Sequence, residues 1–269
     1  MTIDKPLLNK QLPKGKRVWV IASIEGRVEQ LFELHRLIGD KYRAGDALVY
    51  TGNIFGGIAG KITQTVDEIL SFRRRVMANF ETESDNICYL RGAYEDMLFK
   101  FFNLNFDKKP IERYAAMINS GLKCTLMSYG VDPEKGSIAA EQGTIHLLNF
   151  IENLNSEIKK HEGHFEFWVS KSLVNYVHTE DKSLLILSAG LNHQKSIDVQ
   201  KEEIAYGTGY NFYSDSPYDG YKTVVRGRAF DISDDGVFSD AGYITLNPVS
   251  CLYAMLFDEN GKPDTLVKV

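Results

Sequence analysis

Along the first third of the chain, short unbroken apolar runs alternate with longer stretches whose apolar residues are spaced by three and four. The runs are RVWVIAS (17–23), ALVYTG (47–52) and NICYLRG (86–92). Each is rich in β-branched or aromatic residues, as a strand buried on both faces requires, and each meets a glycine at or soon after its end. Between them, VEQLFELHRLIG (28–39) places apolar residues at 28, 31, 32, 34, 37 and 38, and ITQTVDEILSFRRRVMANF (62–80) is a second amphipathic helix. YEDMLFKFFNL (94–104) is helical as well. Strand, glycine turn and helix, repeated three times, predict a wound βαβ sheet with a site at the carboxyl ends of its strands.

The pattern then changes. Two helical stretches, IERYAAMINSGL (111–122) and IAAEQGTIHLLNFIENLNSEIKKH (138–161), surround a loop, SYGVDPEKGS (128–137). They predict an inserted helical cap over about residues 105–162. FEFWVSKSLVNYV (165–177) leads into the strand SLLILSAGL (183–191), and YKTVVRGRAF (221–230) supplies another. GYITLNPVSCLYAMLFDENG (242–261) reads as a hairpin whose second strand turns at Glu259, Asn260 and Gly261. Residues 1–16 carry Lys and Pro without a period and read as an N-terminal arm. Residues 17–269 then form a single domain.

Composition narrows the function. A formal net charge of −5 gives no reason to expect nucleic-acid binding. Apolar content of 43% and charged content of 25% fit a soluble globular protein, and no apolar run approaches the length of a membrane span. Cys88, Cys124 and Cys251 lie far apart in apolar settings, which predicts buried thiols in a reducing, cytoplasmic compartment. His161 and His164, in KKHEGHFE, read as a solvated helix end.

Taken in order, the glycine turns carry a resemblance. ASIEG (22–26), GNIFGG (52–57), RGAYE (91–95), SAGL (188–191) and RGRA (226–229) align with GDxHG, GDxxDRG, GNHE, HAGL or HGGL, and a late GHT or AH. Those blocks belong to the calcineurin-like metallophosphoesterases, in the serine/threonine protein phosphatase branch and its bacterial relatives. MINSGLKCTLMSYGV (117–131) is similar to the cap segment of bacterial members. The resemblance spans about residues 17–257 and implies an α/β, four-layer αββα sandwich of two mixed sheets with a helical cap.

The family's chemistry uses two divalent ions that polarise a phosphoryl group and activate a bridging water. Such ions need anionic oxygens and imidazoles. The matching positions here are Ser23 and Glu25, Asn53, Ala93 and Tyr94, Ser188, and Arg228. The phosphate-gripping arginine of the second block falls at Gly56 or Gly57. Every ligand position is changed, while Gly26, Gly52, Gly92, Gly190 and Gly227 remain. Scaffold and chemistry have separated, so neither a metal nor another cofactor is expected.

Arg228 has two readings: it replaces the metal's charge, by pairing with Glu25 or binding an anion, or it swings out to solvent. Glu25 and Asn53, with Glu95 or Asp96 nearby, are thin coordination for a single ion. Ser23 and Ser188 lack a nucleophile elbow and an activating His–Asp pair. His193, just past the fourth block, is expected near the site mouth. Arg91, Arg226 and Arg228 are candidates for holding an anion. AYGTGYNFYSDSPYDGY (205–221) presents Tyr206, Tyr210, Phe212, Tyr213 and Tyr218 in a polar loop suited to a ligand or a protein partner. The expectation is a pseudophosphatase: a catalytically inactive binding or scaffolding module with a protein partner or self-association. The alternatives are a divergent phosphoesterase with weak metal dependence and a non-hydrolysing sensor of a phosphorylated ligand.

Overall fold

The structure, a computed structural model, describes residues 7–57, 60–169, 173–207 and 210–269. Its strands are β1 (Asn9–Leu12), β2 (Val18–Ile21), β3 (Ala47–Tyr50), β4 (Ile87–Leu90), β5 (Leu173–Val174), β6 (Tyr176–Thr179), β7 (Leu184–Leu187), β8 (Thr223–Arg226), β9 (Gly236–Asp240), β10 (Tyr243–Asn247), β11 (Tyr253–Phe257) and β12 (Pro263–Lys268). The helices are α1 (Val28–Gly39), α2 (Ile62–Phe80), α3 (Ala93–Phe101), α4 (Pro110–Met117), α5 (Lys123–Ser128), α6 (Pro133–Gln142), α7 (Thr144–Lys159), α8 (His164–Val169) and α9 (Lys201–Tyr206).

Two six-stranded mixed sheets result, in the orders β1-β6-β7-β8-β10-β9 and β12-β11-β2-β3-β4-β5. The unbroken apolar runs are explained by their two faces. Val18, Val20, Val49 and Leu90 point between the sheets, against Val177, Ile186, Val225 and Leu246. Trp19, Ile21, Leu48 and Tyr50 point the other way, into the helices. The β2, β3, β4 and β5 strands are mutually parallel. Their carboxyl ends therefore gather the first three glycine turns at one edge, and β7 and β8, also parallel, bring the last two to the facing sheet.

The cap helices share one apolar cluster with α1 and α2: Tyr114, Leu126, Phe150 and Leu154 belong to the same cluster as Leu34 and Val66. The layer over the other sheet is thinner. Short α9 and the loop after it cover Leu185, Leu187 and Val224 with Ile204, Phe212, Tyr218 and Tyr221.

Four sequence expectations need correction. Residues 9–12 are not a free arm, because Asn9–Leu12 pairs in parallel with β6 from Tyr176 to Thr179. An edge strand of this kind takes its register from its neighbour, so its own sequence shows no period; residues 1–6 lie outside the described residues. Residues 242–261 are not one hairpin. β10 pairs with β8 and β9, whereas β11 pairs with β2 and β12, so Pro248–Cys251 crosses from one sheet to the other. The turn at 258–261 joins β11 to β12 instead, with the Gly261 N–H donating to Asp258 O. The expected helix over 111–122 breaks into α4, a π-helical turn at 118–122 and α5, with Gly121 at φ 113°. Finally, the loop expected over 128–137 shrinks, since α6 starts at Pro133 behind an Asp132 cap that accepts from the Glu134 N–H.

Candidate functional site

The site is built from turns, and two of its glycines explain how those turns fit together. Gly52 has φ 91°, and a Cβ there would lie 2.6 Å from the Gly92 nitrogen. At Gly227 an added Cβ would fall 1.7 Å from Thr51 Oγ1. The retained glycines are therefore a matter of close backbone approach between the blocks. Hydrogen bonds complete the frame: the Ser23 N–H donates to Gly227 O, the Glu25 N–H to Asn53 O, and the Gly227 N–H to Ser188 O. The structure thus joins the first, second, fourth and fifth blocks in one place.

The third block joins through Glu95. Its fully buried carboxylate accepts from the N–H groups of Asn53 (2.7 Å), Ile54 (2.6 Å), Phe55 (3.1 Å) and Gly92 (2.8 Å). The Gly92 bond carries the Glu95 side chain back to the N-cap N–H of α3, the half of a capping box that a glycine N-cap permits. Burial pushes the carboxyl pKa up and these N–H bonds pull it back. Glu95 is a structural clasp and no longer a candidate metal donor. Asp96 is engaged too, accepting from Tyr206 Oη at 2.9 Å and pairing with Lys100 at 2.8 Å.

At the ligand positions, the side chains satisfy or fill one another. Asn53 donates from Nδ2 to Ser23 Oγ at 2.9 Å, and its Oδ1 accepts from the Tyr94 N–H at 3.3 Å. Ala93 is buried in the first turn of α3. The Tyr94 ring is wedged between two glycines from other segments. A Cβ on Gly56 would meet Tyr94 Cδ1 at 2.3 Å, and one on Gly121 would meet Cε1 at 2.8 Å. Gly57, the other position aligned with the phosphate-gripping arginine, has the same relation to Glu25, whose Cβ would lie 2.6 Å away. Gly56 and Gly57 make room for the Tyr94 and Glu25 side chains, and the π turn at Gly121 does the same from the cap. Burial first, then the nearby Glu25 charge, pushes the Tyr94 phenol up to about 12.

Glu25 is 3% exposed and sits at φ 54°, a left-handed backbone that suits glutamate poorly. Arg228 Nε lies 3.3 Å from its Oε1, and Arg27 Nη2 lies 3.6 Å from its Oε2. Arg228 therefore faces inward against Glu25 rather than out to solvent. Burial raises the Glu25 pKa, and the charges of Arg228 and Arg27 only partly offset it. The Glu25 Oε1, Arg228 Nε, Arg27 Nη1 and Ser188 Oγ atoms are buried without hydrogen-bond partners.

This donor set does not fit a pair of divalent ions. It offers one carboxylate already flanked by two guanidinia, and an amide whose oxygen and nitrogen are both engaged. Among the described residues, no three His, Cys, Asp or Glu side chains converge as metal ligands.

The three candidate anion-binding arginines share no partner among the described residues. Arg226 is buried on the opposite side of its strand, bonded to Thr245 Oγ1 at 2.9 Å, Ala189 O at 3.2 Å and Asp231 at 3.1 Å, with Phe212 stacked 4.3 Å away. Arg91 lies over the Phe99 ring. The aromatic loop largely packs inward: Phe212 and Tyr218 are core residues, Tyr213 donates to Thr245 Oγ1, Tyr206 donates to Asp96, and Tyr210 is exposed. Residues 208–209 lie outside the described residues. His193 belongs to this layer as well, with Nε2 3.0 Å from Phe212 O and its ring edge-on to Tyr218 and Tyr243. His164 is buried between Tyr129 and Asp67 rather than solvated. Cys88 is buried, while Cys124 and Cys251 are only half-buried.

Sequence reasoning missed Arg27 and underrated Glu95. The Glu95 signal was present as glycine followed three residues later by glutamate ahead of an apolar helix. Arg27 gave none, because nothing local marks which side chain will turn back onto Glu25.

No protein-family model matches the chain, and no curated protein sequence matches it. Solved structures do. One, from a protein provisionally assigned as a diadenosine tetraphosphatase, aligns over 98% of this chain and 97% of its own, with a TM-score of 0.52 and 14% identity. A serine/threonine phosphatase from Saccharomyces cerevisiae aligns over 98% of this chain and 83% of its own, at TM-score 0.47 and 11% identity. A cold-active protein-tyrosine phosphatase from a psychrophilic Shewanella aligns over 96% and 82%, at 0.47 and 13%. The first of these shows the fold that this chain shares with it: two mixed six-stranded sheets with helices on both sides.

Proposed function

We propose that this chain is a phosphoesterase-fold protein that does not hydrolyse phosphoesters and serves as a binding or scaffolding module for a protein partner. The described residues act as one domain in this reading, with strand β1 (Asn9–Leu12) in its sheet and the cap as part of its core. The observation that carries it is the inward Arg228 guanidinium at Glu25, the one carboxylate among the old ligand positions. A fixed positive charge there opposes any cation, and the Tyr94 ring takes space beside it that a substrate phosphoryl group would need. The exposed cap residues Phe106, Ile138 and Ile145 offer apolar surface for a partner. Among the described residues, no helix is long and apolar enough to cross a membrane.

The test is metal analysis of the purified protein together with aryl-phosphate turnover in added Mn²⁺. The expected result is substoichiometric metal and no turnover above a blank. Two tightly held ions per chain, or turnover abolished by Glu25→Ala, would overturn the proposal.

A further inference from the structure

The crossing from β10 to β11 is held in an unusual way for a surface loop. Its backbone is matched by side chains on both edges. On the carbonyl edge, Arg228 Nη1 donates to Pro248 O at 3.0 Å, Arg27 Nη2 to Val249 O at 3.1 Å, and Gln30 Nε2 to Ser250 O at 2.9 Å. On the amide edge, one carboxylate serves three successive N–H groups: Asp235 Oδ1 accepts from Val249 (2.8 Å), Ser250 (3.0 Å) and Cys251 (3.3 Å). Its other oxygen accepts from Ser250 Oγ at 3.1 Å and Tyr253 Oη at 2.7 Å.

The ends of the segment are anchored independently. Asn247 is fully buried and binds the loop that presents Asp235, accepting from the Ala229 N–H and donating to Ile232 O and Asp234 O. Leu252 is fixed by reciprocal backbone bonds with Val269. Between these anchors Val249 and Ser250 are exposed, so polar contacts rather than apolar burial hold the middle down. Segments held in this manner open locally without global unfolding.

Two of the carbonyl-edge donors, Arg27 and Arg228, are the guanidinia that flank Glu25. We infer that residues 248–251 form a releasable strap, latched by Asp235, whose opening frees Arg27 and Arg228 from its carbonyls and leaves them facing Glu25 and solvent. Closed, the strap shares both arginines with Glu25. Open, the charge balance of two guanidinia and one carboxylate is unchanged, but the N–H groups that met the Pro248 and Val249 carbonyls are free to meet an anion from solvent. Asp235 is a positioning residue in this device and touches neither arginine.

Cys251 reports on the strap from within, and buried Cys88 reports on the whole fold. The experiment is alkylation of the native protein under limiting reagent, with rates at each thiol read by mass spectrometry. Asp235→Asn should speed labelling of Cys251 about tenfold, the equilibrium equivalent of one charge-assisted hydrogen bond. Gln30→Ala, on the opposite edge, should speed it severalfold, and the double variant should gain about the product of the two, because both contacts break in one opening. Cys88 should stay unlabelled throughout. No acceleration in Asp235→Asn overturns the latch. No effect of Gln30→Ala, or a double variant no faster than Asp235→Asn alone, overturns the strap as one unit. Acceleration that appears equally at Cys88 assigns these contacts to global stability and overturns release.

Discussion

Glu25 and Glu95 stand in neighbouring turns at the same edge of one sheet, and both are buried. Their surroundings are opposites. Glu95 receives four backbone N–H groups from the turns it ties together, all within 3.1 Å. Glu25 receives no hydrogen bond at Oε1 and relies on two arginines at 3.3 and 3.6 Å. One carboxylate is placed to hold backbone; the other stands where the resemblance expects chemistry and is held only by loose charge. The contrast teaches that one turn is fixed by hydrogen bonds and its neighbour by charge. Predictions that separate the two turns test it directly.

The largest effect belongs to Glu95. Glu95→Ala strands four buried donors, each costing about 1–3 kcal/mol when unsatisfied, so after partial hydration the loss should reach about 3–5 kcal/mol. Chemical denaturation measures it. Glu95→Gln keeps the shape and an acceptor oxygen and should lose less. A change below about 1 kcal/mol in Glu95→Ala would mean that the turns hold themselves and that the comparison fails.

Next comes Gly227, which carries no charge but brings the last block against the second strand. Gly227→Ala would drive a methyl to within 1.7 Å of Thr51 Oγ1. Thr51 is buried and bonded to Ile21 O at 2.9 Å, so it has little room to yield. The expected loss is about 1–3 kcal/mol, with the companion change Thr51→Ala, which removes Oγ1, recovering part of it. If recovery is complete, the contact is purely steric. If none occurs, the approach of the two backbones is itself the constraint.

These two residues also mark what could be read from the sequence. The glycine turns, the doubly buried strands and the scarcity of acids and histidines at the turns were legible because each is local: a run, a turn or a residue type. The Tyr94 wedge was not, since it requires Gly56 and Gly121 to meet a ring from a third segment. Nor was the sheet crossing at 248–251. Its flanking strands look alike, and only their pairing partners differ. The aromatic loop misled for a related reason. Spaced aromatics among polar residues look like a binding surface, yet here most of them supply the thin outer layer that a six-residue helix cannot cover alone.

The smallest effect, and the most pointed, is at Glu25. Burial raises its pKa in the folded protein above the ordinary carboxyl value, against the pull of Arg228 and Arg27. The folded state therefore holds a proton that the unfolded state releases, and stability falls as pH rises from the unfolded pKa through the folded one. Above that window the full cost of the buried charge is present. Glu25→Gln removes the titration while keeping the shape, so melting curves of the two proteins should nearly coincide at about pH 4 and separate toward about pH 7, the variant melting higher. Glu95→Gln should melt lower than the parent protein across the same pH range, because its amide turns an NH₂ group toward backbone N–H donors that the carboxyl oxygens accept from. A Glu25→Gln variant that melts lower at neutral pH would mean that the two guanidinia more than offset the burial. Glu25 would then be a second clasp, and the distinction between the two turns would be one of degree.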